Sequence, residues 1–249
     1  PYAALLAEAL SNLANGQIDI EHPFFEEREV KTRGILLVTT NRGLCGPLNS
    51  NLFRESLKIK GNVKFVSIGK KGTQFLSRAG KNLEADFQID DDAPFSKVKQ
   101  IVEFMVEKYE AGEIDTIEIL YPHFVNTLVQ EPSYAKLLPI ANLEHMITEL
   151  RGKHAEPYEP VDDDRGFKFE PDAVTVLNRL LPLFINREAY QAILSSKAAE
   201  HSSRMVAMKT AKDNATKLLD DLTLVFNKAR QAAITQEILE IAAATSSNQ

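Results

Sequence analysis

The sequence predicts an α/β domain joined to a long C-terminal helix, and three observations carry that expectation. Short apolar, β-branched runs alternate with helical patterns between residues 30 and 165. From Leu183 to Gln249 there is no Gly and no Pro. Along that stretch, alternating steps of four and three from Leu194 meet Ala198, His201, Met205, Met208, Lys212, Ala215, Leu219, Leu222, Phe226, Ala229 and Ala233, and only His201 and Lys212 are polar. A 3.5-residue period keeps one seam toward a partner helix and implies a left-handed supercoil. A helix of ~60 residues is roughly 90 Å long. It must protrude from a domain of this size and place its stripe against another helix or another protein.

The elements follow in order. Residues 2–14 read as a short amphipathic helix through Leu5, Leu6, Ala9, Leu10 and Leu13, stopped by Asn15-Gly16. Gly34–Thr40 (GILLVTT) and Val63–Gly69 (VKFVSIG) are buried-strand patterns, and Ile114–Leu120 (IDTIEIL) alternates. Thr127–Leu138 adds a strand whose Pro132 favours an edge. Helical patterns fall at Leu48–Ile59, Lys70–Ala79 and Ser96–Tyr109, which implies a mostly parallel sheet with helices on both faces. Ala141–Leu150 reads as helical, and residues 152–171 as a Pro-rich acidic linker. Pro171 suits a helix start, and Pro182 is expected to kink the helix or mark a junction. The division is residues 1–16, 30–165 and 171–244.

Composition bounds the function. A 44% hydrophobic, 26% charged chain of 249 residues is ordinary for a globular protein. No apolar run approaches the ~18–20 residues of a membrane span. Pro1 is not an initiator Met, so a fragment or a processed chain is expected. A single Cys excludes an internal disulfide. The net charge of −6 argues against a nucleic-acid binder. Residues 183–249 hold eight basic and seven acidic residues, so the body is acidic and the long helix near neutral. Lys197–Lys217 forms a local basic band with five basic and two acidic residues. Either a solvated face or an acidic partner surface accounts for it.

The chemistry-bearing candidates are few. Thr39–Gly46 is a glycine-bearing turn after the first strand, the place where α/β folds bind phosphate, but it has neither GxGxxG nor GxxxxGK[ST] spacing. Pro47 removes an N–H that a phosphate would use. Cys45 at a helix start has the position of a nucleophile, yet no motif sets His22, His123, His145, His154 or His201 beside it. A buried thiol is the plainer reading. Asp90–Asp92 and Asp162–Asp164 lack calcium-loop spacing. No cofactor or metal site is expected. His201 and Lys212 in the seam either fix register or mark where the seam ends. The Arg230-Gln231 pair sits among small residues near the far end of the helix, and Arg suits bidentate carboxylate binding.

Two stretches carry a resemblance. SSKAAEHSSRMVAMKTAKDNATKLLDDLTLVFNKARQAAITQEILEI, residues 195–241, resembles the C-terminal helix of the gamma subunit of rotary (F-type) ATP synthases. TNRGLCGPLNSNLF, residues 40–53, is similar to that family's DRGLCGGLN signature, and YPHFVNTLVQEPSYAKLLP, residues 121–139, is also family-like. The resemblance implies a Rossmann-like α/β domain that binds no nucleotide, plus a long helix in an antiparallel coiled coil with an N-terminal helix. It implies the central-stalk rotor of a proton-translocating ATP synthase. Such a rotor couples ion-driven rotation to the catalytic beta sites of the CF(1) sector, regulates ATPase activity and proton flow, and makes no bond itself. The implied partners are the alpha and beta subunits, the epsilon subunit and the membrane c-ring. The implied location is peripheral, on the cytoplasmic face of a bacterial inner membrane. Carried over by motif position, Arg230, Gln231, Thr235 and Glu237 would engage the beta catch. Arg204 would lie lower on the shaft, and Asp164 and Glu170 near the foot. Three departures stand out: a very short N-terminal helix, Asn41 and Pro47 in place of the signature's Asp and Gly, and a polar tail.

Overall fold

A computed structural model describes residues 22–142, 146–148, 170 and 172–246, together with Ser11. The expected N-terminal helix lies outside these residues, save Ser11, which is helical and buried. The linker over 152–171 lies outside them too, save Glu170. Of the helix expected over residues 141–150, residues 146–148 are described, and they are helical.

The strands β1 (Thr32–Val38), β2 (Asn62–Ile68), β3 (Leu83–Phe87), β4 (Thr116–Phe124) and β5 (Gln130–Leu138) form one sheet in the order β3-β2-β1-β4-β5. All neighbours pair in parallel except β4 and β5, which form an antiparallel hairpin. The helices α1 (Leu48–Lys58), α2 (Lys70–Arg78) and α3 (Phe95–Glu110) fill the crossovers. Central β1 shows why the apolar run reads as a strand buried on both faces. Ile35 and Leu37 pack with Phe65, Leu120, Leu52 of α1 and Leu76 of α2. Leu36 and Val38 point the other way, into a larger core with Val66, Ile117, Ile119 and the Val98, Ile101 and Met105 row of α3.

The sheet edges differ from its centre. Pro132 lies in β5, opposite Pro122 of β4 in register, at the edge where a missing N–H is tolerated. The other edge, β3, was not expected. Its LEADF pattern is half-buried, without the apolar run that marks β1 and β2. The turn after β2 requires glycine: Gly69 has φ 95°, and a Cβ there would lie 2.3 Å from the Thr39 carbonyl oxygen.

Two charge clusters join elements at the surface. Arg33 of β1 grips Glu118 of β4 through two hydrogen bonds of 3.0 and 2.5 Å, and Thr116 donates to the same carboxylate at 3.0 Å. The Glu118 side chain is 11% exposed. Its hydrogen bond holds the Arg33 guanidinium further above its ordinary range. Beside this pair, burial pushes the Tyr134 hydroxyl up to about 12. Lys64, Glu84, Lys108 and Glu113 alternate in sign at 2.9–3.5 Å, tying β2, β3, α3 and the turn after α3. Hydrogen bonds from Lys108 hold both carboxyls below their usual range, and the Glu113 bond raises Lys108.

The last element, α4 (Ala173–Ser246), is a single 74-residue helix, about 110 Å at 1.5 Å per residue. Asp172 starts it: its carboxylate accepts from the Thr175 N–H at 2.8 Å and from the Thr175 hydroxyl at 2.7 Å. Of the kink or junction expected at Pro182, the junction does not occur: the helix runs on through it. Leu177, Leu181, Phe184 and Ile185 flank it and are buried in the larger core, and burial of each large apolar side chain stabilises by about 1.5–3 kcal/mol. That outweighs the ~3 kcal/mol cost of one internal proline. Ala189, Ala192 and Ile193 continue the packed face.

Candidate functional site

The chemistry of this chain is that of a helix held by a domain. The turn after β1 is the first grip. Leu44 (φ 63°) is exposed, Cys45 is buried, and Gly46 has φ 56°. A side chain at Gly46 would meet left-handed backbone strain, so glycine belongs there. Cys45, Leu48 and Ala199 of α4 form a small core of their own, with Phe124 packed against it. Ser203 of α4 donates to the Cys45 carbonyl oxygen at 2.6 Å.

The rest of the turn is tied inward. Asn41 donates to the Ile89 carbonyl at 3.1 Å and accepts from the Lys70 N–H at 3.3 Å. Thr39 accepts from the Gly72 N–H at 2.8 Å. Asn49 donates to Thr40 at 2.8 Å and to the Cys45 sulfur at 3.4 Å. Asn41, standing where the signature has Asp, thus staples the loops after β1 and β3. Cys45 is roofed by α4, and its polar neighbours are Asn49 and Thr40, neither of them a general base. A nucleophile's role needs an open thiol and a base, so the buried-thiol reading stands.

In open α/β sheets, ligands bind beyond the carboxyl ends of the strands. Here α4 crosses that edge. Ser195 accepts from the Phe124 N–H at the end of β4 (3.0 Å) and lies 3.2 Å from His123. Lys197 reaches the Ile89 carbonyl (3.1 Å) and Asp91 (3.2 Å) beyond β3. The Lys197 hydrogen bond holds the Asp91 carboxyl below its usual range. Two of the acidic triplet are thereby paired, Asp91 with Lys197 and Asp90 with Lys97 at 3.1 Å. Asp162–Asp164 lie outside the described residues. Among the described residues no cluster of His, Cys, Asp and Glu is placed to hold a metal, and no helix is long and apolar enough to cross a membrane.

Above this crossing α4 is bare. Every side chain from Met208 to Ala243 is exposed, including Leu219, Leu222 and Phe226 of the expected seam. Residues on the packed face, Ala192, Ser196, Ala199 and Ser203, are offset from the seam by two positions. That is about 200° around a helix at 100° per residue, so seam and domain lie on opposite sides.

The sequence-predicted contact residues map onto this geometry. Arg204 is half-buried at the crossing and donates to Glu200 at 2.6 Å. Arg230, Gln231, Thr235 and Glu237 are all exposed near the tip. Arg230 and Glu237, seven apart, share one face beside the seam, whereas Gln231 and Thr235 share another, roughly opposite it. The Thr235 hydroxyl is turned back onto the Gln231 carbonyl at 2.9 Å. Glu170 is exposed just before the helix, and Asp164 lies outside the described residues. The domain-gripping residues Ser195, Lys197, Ser202 and Ser203 were not expected. Their signal was the small-residue stripe offset from the chosen seam.

The family model described as ATP synthase matches residues 1–247, and the chain belongs to that family. Its relatives there are gamma chains. The ATP synthase gamma chain of Opitutus terrae is 53% identical over 247 residues, covering 98% of this chain and 83% of the relative. That of Methylacidiphilum infernorum is 44% identical, covering 98% and 84%. Among solved structures, a chain of the Euglena gracilis mitochondrial ATP synthase matches with TM-score 0.66 at 19% identity, over 93% of this chain and 77% of that one. The central stalk and c-ring structure from Tetrahymena thermophila contains another, with TM-score 0.57 at 23% identity, over 85% and 96%. These share the fold. The expected gamma-type subunit of an ATP synthase is therefore borne out, as part of a membrane-associated complex.

Proposed function

We propose that α4 is the turning shaft of the central stalk and that the α/β domain is its foot. In this reading the free part of the helix enters the ring of alpha and beta subunits. Arg230 and Gln231 engage the beta catch, and Thr235 and Glu237 form a second polar contact group. The division into residues 1–16, 30–165 and 171–244 then separates a partner helix, a foot and a shaft. The foot faces the epsilon subunit and the c-ring, with Asp164 and Glu170 at its base. The complex sits on the cytoplasmic face of a bacterial membrane.

The observation that carries this reading is the bare helix. An exposed apolar stripe about 60 Å long, with polar residues on two other faces near its tip, suits enclosure by a protein sleeve. The polar contacts must hold under load and release at each step. A charge-assisted hydrogen bond of about 1.5–3 kcal/mol is strong enough to hold and weak enough to break within one ATP turnover.

The test is Arg230→Ala with Gln231→Ala in the assembled complex. ATP synthesis is expected to fall several-fold while the melting of the isolated chain's α/β domain stays unchanged. Wild-type synthesis by an assembled double variant would remove these residues from the contact.

A further inference from the structure

We propose that the crossing of α4 over the sheet edge is a torsional lock, in which Ser195, Lys197, Ser202 and Ser203 fix the rotational register of the helix against the domain. The inference rests on the shaft-and-foot reading above. Below the crossing, α4 is held by apolar packing, through Leu181, Ile185, Ala189 and Ile193. Such packing is non-directional and roughly proportional to buried area. Turning the helix about its axis would expose this face, so the packing opposes rotation broadly, but it does not hold one angle as sharply as a directional bond does.

The crossing is different in kind. Ser203 donates to the Cys45 carbonyl at 2.6 Å, and Ser202 donates to the Thr127 carbonyl at 2.8 Å. Ser195 accepts from the Phe124 N–H at 3.0 Å. Lys197 donates to the Ile89 carbonyl at 3.1 Å and pairs with Asp91 at 3.2 Å. All are directional, and most end on backbone atoms of the domain.

Their placement around the helix matters more than their strength. At about 100° per residue, Ser195 and Ser202 point the same way, toward the β4–β5 hairpin. Ser203 points about 80° further round, toward the turn after β1. Lys197 lies about 200° from Ser195, toward the loop beyond β3. Grips spread over more than half the circumference mean that rotation in either sense breaks one of them. All of them fall within nine residues, an axial length of about 12 Å. This belt is the last grip before the bare helix, so torque from the shaft first meets the domain here.

The test uses the assembled complex with its catalytic ring fixed to a surface. An optical probe is attached either to the exposed domain loop at Lys60 or to the exposed helix at Lys209, and the angular fluctuation of the stalled rotor is recorded. The variant is Ser195→Ala, Ser202→Ala and Ser203→Ala together. The variance at Lys60 is expected to rise about twofold or more as these directional bonds are lost, while that at Lys209 stays at its wild-type value. Restoring one hydroxyl, as Ser203→Thr in the Ser195→Ala, Ser202→Ala background, is expected to recover part of the stiffness.

Unchanged variance at Lys60 in a variant complex that still rotates would overturn the lock. If the triple variant does not assemble, Ser203→Ala alone decides. A raised variance that Ser203→Thr returns to the wild-type value supports the lock, and a wild-type variance in Ser203→Ala overturns it. A wild-type complex showing no ATP-driven rotation at either probe would instead overturn the shaft reading itself.

Discussion

The two halves of α4 share one backbone and obey different physics. Residues 173–203 sit on the domain, with Leu181, Ile185, Ala189 and Ala199 almost fully buried. Residues 208–243 are exposed on every side, with Leu219 and Phe226 each 64% exposed. The lower half is helical because packing makes it so. The upper half has good helix-forming residues and no breaker, but its apolar stripe gains stability only when something covers it. The same side chain type therefore has opposite consequences a few turns apart.

The sharpest way to break that contrast is a matched pair of truncations. Ile185→Ala is expected to cost about 2–4 kcal/mol in the isolated chain, read as a lowered thermal midpoint of the domain. Phe226→Ala, in the same assay, is expected to leave the midpoint unchanged. Equal effects would mean that the upper helix is not bare in solution.

A smaller effect is expected at the domain's partly buried ion pair. Arg33→Met leaves the Glu118 carboxylate facing the sheet without its partner, and should lower stability by about 1–3 kcal/mol by denaturant titration. Arg33→Met with Glu118→Gln should recover part of the loss. No such penalty is expected for Arg230→Met on the exposed helix in the isolated chain.

The smallest effect is in pH. The Glu84, Glu113 and Asp91 carboxyls titrate below their usual range when folded. Their contribution is present above the unfolded values near pH 4 and is lost as pH falls through the folded ones. Lys108 is shifted upward, so its contribution is present below about pH 10 and is lost above the folded value. Domain stability should be flat from about pH 5 to 9 as far as these groups decide it. It should drop under acid, and Lys108→Met should shallow that drop in calorimetric scans.

Much of this was legible in the sequence, for reasons that differ by element. β1 and β2 show their burial as apolar runs, β4 shows an alternating pattern, and Pro132 marks β5 as an edge. β3 left no such mark, because a half-buried edge strand mixes Leu83 and Phe87 with Glu84 and Asp86. Pro182 marks no junction: local propensity favours an end, but the core around Leu181 and Ile185 carries the helix through. The seam from Leu194 is real as a periodicity, yet the face that touches the domain is the opposite one. Small residues such as Ala192, Ala199 and Ser203 carry little hydropathy, and their role appears only when a neighbouring backbone is close. The turn at residues 40–53 was legible as a signature but not as a cradle for α4, since Cys45 and Ser203 are 158 positions apart in sequence.

Seen mechanically, a helix gripped near Ser203 and exposed as far as Ala243 is a cantilever. Its tip deflection under a side load grows with the cube of the free length, so a lone helix of this span is soft sideways even if its foot is rigid. A second helix laid along the stripe of Met205, Leu219, Leu222 and Phe226 places material away from the bending axis and stiffens the beam by much more than its added mass. The exposed stripe is thus a place to mount a brace, and the side on which that brace sits sets the direction in which the shaft resists bending best.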